Sequence, residues 1–157
     1  MTSQSASLEL ASERWTDPEC PVARALDLVG DRWSLLIVRD AMDGVRTFTD
    51  LQRSLGVARN ILSDRLRRLV AHGILAREIA PSGKRQEYVL TEAGHDLFTT
   101  VLALRQWGER HAFAPGESHS VLLDDTAAVV PELQPASHGG QSLTDRNTRV
   151  QKVETRP

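Results

Sequence analysis

The sequence has a single cysteine, Cys20, among its 157 residues, which excludes an internal disulfide framework. It contains no apolar run near the roughly 18 residues that a membrane span needs. The opening stretch, MTSQSASLELASERW, has neither a basic start nor an apolar core, so we expect no secretory signal. A lone cysteine fits a reducing compartment, and we predict a cytoplasmic protein with no membrane partner.

Motifs that carry enzyme chemistry are also missing. The sequence has no phosphate-binding loop, no cluster of ligands at metal spacing and no nucleophile elbow. Cys20 as a nucleophile would need a nearby base. The candidates His72, His95 and His111 fall at predicted helix ends or in the last long helix, away from Cys20. We therefore expect no enzyme activity and no cofactor.

Positive charge is scarce overall but concentrated in one segment. The chain has a net charge of −2. Residues 46–91 contain nine Lys and Arg against four Asp and Glu, whereas the rest of the chain contains ten against seventeen. A basic module in an acidic chain can attract phosphate through one face only. Local fluctuation would explain the excess equally well, so the order of the elements has to decide between the two.

Two helices are predicted before the basic segment. Pro21 suits the first position of a helix, whose apolar stripe ends at Gly30. Asp31 suits the cap of a second helix, which Gly44 closes. The stripe of the first helix consists of Val22, Ala25, Leu26 and Val29, and the core face of the second consists of Trp33, Leu36, Ile37 and Ala41.

The basic segment begins with a helix-turn-helix pattern. Thr49 and Gln52 have capping-box spacing for a third helix, which Gly56 ends. A fourth helix is predicted from about Ala58 to His72, with leucines on one side and polar residues opposite, since each residue turns the helix by about 100°. Arg and Asn can read guanine and adenine in the major groove. The leucines are Leu62, Leu66 and Leu69, the polar residues are Arg59, Asn60, Ser63 and Arg67, and Arg65 and Arg68 lie towards the core edges, where packing or salt bridges are expected.

A basic hairpin follows the fourth helix. Residues 74–79 and 86–90 are predicted strands, and Lys84 and Arg85 at the turn could reach phosphates or a narrow minor groove. An ordinary solvated helix face and a charged hairpin that resists aggregation would explain each part separately. The order of capped helix, glycine turn, polar helix and hairpin favours a winged helix-turn-helix.

A long final helix is predicted after Thr91, which can cap it. A small domain has little core to cover its broad apolar stripe, so we predict that the stripe forms a homodimer; intramolecular packing is the alternative. In the tail, residues 120–130 suggest a strand hairpin and residues 149–153 a short final strand. The predicted dimer contacts are Leu97, Val101, Leu104 and Trp107.

Four ordered blocks of the sequence resemble a known family. They are CPVARALDLVGDRWSLLIVRDAMDG, RTFTDLQRSLG, LSDRLRRLVAHGIL and YVLTEAG, and they span roughly residues 20–111. Together they resemble the HxlR family of bacterial transcriptional regulators. The resemblance implies a homodimeric winged helix-turn-helix that binds an inverted-repeat operator in double-stranded DNA and dimerises through its terminal helices.

The chain departs from this family in two places. Many relatives have a Pro-Pro wing, whereas this wing has Pro-Ser-Gly-Lys-Arg. Some relatives have an extension whose paired cysteines suggest a zinc knuckle, but this tail has none. His119 and His138 are too few ligands for zinc, so we expect no metal.

Cys20 matches the position through which several family members sense oxidants or electrophiles. A helix N-terminus favours a thiolate, and Arg24 would add to this effect, while Asp17 and Glu19 oppose it. Because there is no second cysteine, oxidation would end in a disulfide between subunits or with a small thiol. The alternative is that Cys20 packs as a small apolar residue.

The sequence as a whole predicts a dimeric, DNA-binding transcriptional repressor with Cys20 as its candidate redox sensor. A winged-helix module that binds an acidic protein partner and a ligand-responsive regulator without thiol switching are the alternatives; no small-molecule effector is identified. We expect a mainly helical α+β fold, with an arm at residues 1–19, a winged helix-turn-helix domain at 20–112, and a poorly defined extension at 113–157 that could form a β-hairpin. The predicted DNA contacts are Arg46, Thr47, Arg59, Asn60, Ser63, Arg67, Lys84 and Arg85.

Overall fold

The structure, a computed structural model, describes residues 15–154. Most of the predicted N-terminal arm, residues 1–14, therefore lies outside the described residues. The described chain divides into two compact units, with the boundary between residues 98 and 99. No helix within the described range is long and apolar enough to cross a membrane.

The first helix, α1 (Pro21–Val29), begins and ends where the sequence predicts. Pro21 occupies its first turn, Cys20 is its N-cap and Gly30 its C-cap. Of its predicted apolar stripe only Val29 is buried, because Val22 and Leu26 are 67% and 59% exposed. One face of α1 is therefore apolar but not covered by the chain's own core.

The second helix, α2 (Arg32–Met42), starts at the predicted cap. Asp31 accepts the backbone N–H groups of Trp33 and Ser34 at 3.0 and 3.1 Å. These bonds satisfy donors that the first turn of any helix leaves unpaired. Ile37 and Val38 are fully buried, so α2 supplies the centre of the core.

The third helix, α3 (Phe48–Leu55), begins two residues earlier than its predicted capping box. The N-cap is Thr47, and the prediction of a Thr49–Gln52 box is wrong. The Thr47 hydroxyl donates to the Asp50 carboxylate at 2.6 Å and accepts the Asp50 N–H at 3.2 Å. The N–H of Tyr88 donates to the Arg46 carbonyl at 2.8 Å. That bond holds the chain extended up to Thr47, so the helix starts directly after it.

The fourth helix, α4 (Arg59–Ala71), lies within the predicted range and buries Leu62, Leu66 and Leu69. It follows α3 through Gly56, which has the left-handed φ of 61° that favours glycine, and through the buried Val57. The strands β1 (Leu75–Ile79) and β2 (Gln86–Leu90) then form the predicted antiparallel hairpin. The order α3, α4, β1, β2 confirms the winged helix-turn-helix.

The predicted long final helix is broken in two. The first part, α5 (Glu92–Asp96), is capped by Thr91, whose hydroxyl accepts the Gly94 N–H at 3.1 Å. The Leu97 N–H then bonds back to the Gly94 carbonyl, which ends α5 in a tight turn. The second part is α6 (Phe98–His111). Leu97 is therefore at the break and does not belong to a continuous stripe with Trp107.

The second unit consists of α6 and the extension after it. The Gln106 side chain is buried in this unit; its amide donates to the Pro131 carbonyl at 2.9 Å and accepts the Leu133 N–H at 2.8 Å. Between residues 112 and 154 the described chain has isolated bridges, Leu123–Val129 and Ala136–Ser142, but no regular strand. The predicted hairpin at 120–130 is thus a turn closed by one bridge, and the predicted strand at 149–153 is wrong.

Candidate nucleic-acid interface

The polar face of α4 is exposed on the side away from the buried leucines, as its helical spacing predicts. Leu62, Leu66 and Leu69 are at most 1% exposed, so they fix which side of α4 faces the core. The opposite side of α4 is therefore free to enter a groove of DNA. The exposed polar residues of α4 are Arg59, its first residue, and Asn60, Ser63 and Arg67.

Arg59, at the start of α4, is stacked on an aromatic ring. Its guanidinium lies 4.9 Å from the ring centroid of Phe48, the first residue of α3. A cation over an aromatic face gains electrostatic attraction while its donors remain available at the edges. Phe48 thus links the two helices of the helix-turn-helix through the side chain that is predicted to read a base.

Arg67 belongs to a chain of ion pairs. Its Nη2 lies 2.7 Å from Oδ1 of Asp64, and the second oxygen of Asp64 lies 2.8 Å from Nη1 of Arg65. The Nε of Arg65 lies in turn 2.9 Å from Oδ1 of Asp31, the N-cap of α2. Arg65 has the salt-bridging role expected from its position. The series of ion pairs connects α2 with the polar face of α4.

Both carboxylates of this chain favour the charged form. The hydrogen bond from Arg67 is the main reason that the pKa of Asp64 is lowered, and the charges of Arg67 and Arg65 add to it. Partial burial acts to raise the pKa of Asp31. It is outweighed by hydrogen bonds from Ser34 and Trp33 and by the charge of Arg65, so the net shift is downwards. At neutral pH this series of ion pairs therefore alternates between negative carboxylates and positive guanidinium groups.

The wing exposes the predicted cations at its turn. Lys84 and Arg85 lie beside Gly83, whose φ of 71° closes the turn. A groove of about 360 Å³ separates the start of α3 from β2, with Asp50, Arg53 and Arg85 among its lining residues. The hydrogen bond from Thr47 lowers the pKa of Asp50, and the charges of Arg53 and Arg85 add to it. The groove thus pairs its cations with one carboxylate.

The two predicted contacts before α3 are less available than the others. Arg46 is exposed, with its Nη1 3.9 Å from a carboxylate oxygen of Glu87 on β2. The Thr47 hydroxyl is occupied by the α3 cap, which leaves it little capacity for a phosphate. Arg46 therefore stays a candidate phosphate contact, whereas Thr47 is better described as a structural residue beside the interface.

The sequence-based prediction missed the residues that hold the arginines. Phe48 stacks under Arg59, Asp64 pairs with Arg67, and Asp50 pairs with Arg53 at 3.0 Å. The spacing of three residues between each aspartate and its arginine on a helix could have revealed the last two pairs. The link from Arg65 to Asp31 has no such signal, because it joins two separate helices.

The predicted dimer residues of α6 divide between exposed and partly covered positions. Leu104 and Trp107 are 53% and 58% exposed, while Val101 is half-buried. Within the second unit the buried residues of α6 are Leu102 and Gln106. Leu104 and Trp107 therefore lie on a face that this unit leaves uncovered.

Potential metal ligands do not come together in the described chain. No group of three His, Cys, Asp or Glu side chains within residues 15–154 could hold an ion. His119 stacks on Phe113 with a centroid distance of 5.0 Å and lies 4.0 Å from Glu109.

Cys20 is at the N-cap of α1, where its sulfur accepts the Ala23 N–H at 3.5 Å. Its side chain is half-buried. Arg24, which was expected to act on the thiol, is occupied elsewhere: its guanidinium lies 4.7 Å from the Trp15 ring centroid and donates to the Pro18 carbonyl at 2.8 Å. Arg24 therefore does not contact the Cys20 sulfur, and the hydrogen bond to that sulfur comes from the first turn of α1.

Comparison with known proteins identifies the family. The model of the HxlR-like helix-turn-helix family matches residues 28–114. An uncharacterized HTH-type transcriptional regulator of Mycobacterium tuberculosis is 44% identical over 129 residues, which cover 80% of this chain and 81% of that protein. The crystal structure of PA1607, a candidate transcription factor, matches with a TM-score of 0.83 and 50% identity over 86% of this chain and 96% of that one.

A redox regulator is among the similar structures. The reduced form of HypR matches with a TM-score of 0.55 and 33% identity, covering 59% of this chain and 94% of HypR. With the helix-turn-helix, the wing and the exposed polar face of α4, these matches lead to one conclusion. The chain belongs to the HxlR-like helix-turn-helix family and is a transcriptional regulator.

Proposed function

We propose that this regulator is a homodimeric repressor that reads an inverted-repeat operator with the polar face of α4. The observation that carries the proposal is the exposure of Arg59, Asn60, Ser63 and Arg67 on a helix whose core side is fixed by three buried leucines. Arginine and asparagine are the side chains best suited to guanine and adenine edges in the major groove. Lys84 and Arg85 of the wing would add phosphate contacts, which contribute affinity but no sequence choice.

The exposed apolar residues support a dimer. Val22 and Leu26 on α1 and Leu104 and Trp107 on α6 are each more than half exposed. Large apolar side chains on one face of a helix indicate a surface that a partner covers. In a twofold dimer, two α4 helices would enter successive major grooves about 34 Å apart, so an inverted repeat is the matching DNA.

Salt titrations on two duplexes test the roles of the helix and the wing. Arg59→Ala should weaken binding to DNA from beside the gene more than binding to a random duplex of equal length. Lys84→Ala should weaken both about equally and flatten the salt dependence, because each lost phosphate contact reduces counterion release. If both variants weaken the two duplexes equally, the proposed roles of α4 in sequence choice and of the wing in phosphate contact are contradicted.

The same assay separates DNA binding from the alternative of a protein-binding module. A module of that kind would shift neither duplex in a sequence-dependent way. Sedimentation of wild type and of Trp107→Ala tests the dimer, and a lower dimer fraction is expected for the variant. Reporter expression with and without the protein distinguishes a repressor, which lowers expression, from an activator.

We further propose that Cys20 makes operator binding sensitive to oxidants. The Cys20 sulfur accepts the Ala23 N–H at the start of α1 and remains partly exposed, and a cysteine reacts with oxidants as its thiolate. HypR, which is similar to this chain, is a redox regulator. A two-electron oxidant would convert two Cys20 thiols of a dimer to a disulfide with release of two protons, or one Cys20 and a small thiol to a mixed disulfide.

The test compares wild type and Cys20→Ser with and without a thiol oxidant such as diamide. Wild type should lose operator affinity on oxidation and regain it with a reductant, while the variant should not respond. If the oxidant releases both proteins equally, or neither, the thiol switch is refuted. A regulator that responds to a ligand without thiol chemistry would keep its operator affinity in both proteins when the oxidant is added.

A further inference from the structure

The four-residue chain from Asp31 to Arg67 differs from an ordinary surface ion pair. An exposed pair three residues apart on a helix contributes little to orientation, because both side chains remain free to move. Here Asp64 also pairs with Arg65, which is only 24% exposed and forms an ion pair with the N-cap of α2. The Asp64 carboxylate, which lies 2.7 Å from Arg67, is thus linked to α2 through Arg65.

A fixed carboxylate has two effects on an arginine at a DNA surface. It limits the directions in which the guanidinium can point, which lowers the entropy lost when a base is bound. It also competes with DNA phosphates, because an arginine that moves to a phosphate must give up the carboxylate. Both effects favour a base contact that the arginine makes without leaving the carboxylate over a phosphate contact that requires it to move.

We propose that Asp64 is a specificity-determining residue that positions Arg67 for a base edge and restrains it from phosphates, and that Arg65 and Asp31 hold Asp64 in place. The inference rests on the proposed function, in which Arg67 faces the major groove. It assigns a role in sequence discrimination to an acidic side chain within a basic surface. The lowered pKa of Asp64 agrees with this role, since the carboxylate remains charged at neutral pH.

The first experiment uses a duplex library with a randomised central segment, from which the wild-type protein selects its sites. Dissociation constants are then measured on a selected duplex, on versions of it with each base pair substituted, and on a random duplex of equal length. For Asp64→Asn we expect the ratio of random to selected dissociation constants to fall at least about threefold, with tighter binding to the random duplex. The lost discrimination should fall on the base pair that Arg67→Ala also affects.

The matched control is Glu78→Gln. It makes the same change in net charge within the basic segment, but on β1, outside the ion-pair chain. Simple electrostatics predicts that it tightens both duplexes by the same factor and leaves the ratio unchanged. If Asp64→Asn behaves like this control, or if its effect falls on a different base pair from that of Arg67→Ala, the inference is wrong.

A second variant separates positioning from charge. Arg65→Gln removes a positive charge, so electrostatics alone would weaken both duplexes equally. Loss of the support behind Asp64 should instead lower the ratio, again at the base pair that Arg67 reads. Melting curves confirm that each variant is folded at the assay temperature, and an unchanged ratio for a folded Arg65→Gln contradicts the inference. If wild type selects no sequence at all, the proposed function fails before any variant is compared.

Discussion

Gly94 and Gly108 provide a pair of identical substitutions with opposite expected effects. Gly94 is in α5, and a Cβ built on it would lie 2.3 Å from the Ile74 carbonyl oxygen and 2.9 Å from a methyl of Leu90. Since real Cβ contacts are essentially never shorter than 3.0 Å, α5 or the start of the hairpin would have to shift by at least about 0.7 Å. A Cβ on Gly108 in α6 meets no atom within 4 Å.

The magnitudes follow from two opposing contributions. Alanine in place of glycine favours a helix by about 1 kcal/mol. Forcing a methyl group against packed atoms costs about 1–3 kcal/mol, and a backbone carbonyl places Gly94 at the upper end of that range because it cannot rotate away. Gly94→Ala should therefore lose about 1–2 kcal/mol of unfolding free energy, whereas Gly108→Ala should gain about 0.5–1 kcal/mol.

Thermal unfolding monitored by circular dichroism measures both variants. Each kcal/mol corresponds to roughly 4 °C for a chain of this size, so the two melting temperatures should lie on opposite sides of wild type. Protein concentration must be equal in all samples, because a dimer's melting temperature depends on it. A Gly94→Ala protein that melts at or above the wild-type temperature would refute the close approach of α5 to Ile74.

Four further substitutions, one of them a control, test the fold around the interface. Thr47→Ala should cost about 1 kcal/mol by removing the α3 cap, while Thr49→Ala, at the position first expected to be the cap, should change urea unfolding little; equal losses would contradict the observed helix start. Leu62→Ala should cost about 2–5 kcal/mol, since this leucine is fully buried; a smaller loss on calorimetry would mean that the core collapses around it. The pKa of Asp31 is lowered, because hydrogen bonds and the charge of Arg65 outweigh burial. Its contribution to stability is therefore present above the ordinary pKa of about 4 and disappears as the pH falls through the lower folded-state pKa. Asp31→Asn should be less stable than wild type in urea at pH 7 and closer to it at pH 3, and a constant difference would count against the ion pair with Arg65.

Local signals were enough to predict most element boundaries. Pro21, Asp31 and Gly56 mark helix ends because each has a backbone preference or a side-chain bond that acts within a few residues. The leucines of α4 reveal its buried face because helical periodicity is a property of the segment itself. These signals also predicted which polar residues of α4 are exposed.

The errors in prediction have tertiary causes. Thr47 and Thr49 both precede a suitable partner by three residues, and the bond between Arg46 and Tyr88, distant in sequence, decides between them. The break at Leu97 falls in a stretch without proline or a terminal glycine, so periodicity runs through it. The contact of Arg65 with Asp31 joins separate helices, and no spacing rule within one element could predict it.

The side chain of Gln106 has a consequence for how the extension is held. Its carboxamide donates to the Pro131 carbonyl and accepts from the Leu133 N–H, so it bonds as one peptide group of a neighbouring strand would. A single helix side chain thus makes two backbone hydrogen bonds to an extended segment, and it sets the position of residues 131–133 along α6. Glutamate at this position would keep the acceptor but lose the donor, and leucine would lose both, so the amide is the group that allows α6 to hold an extended segment through its backbone.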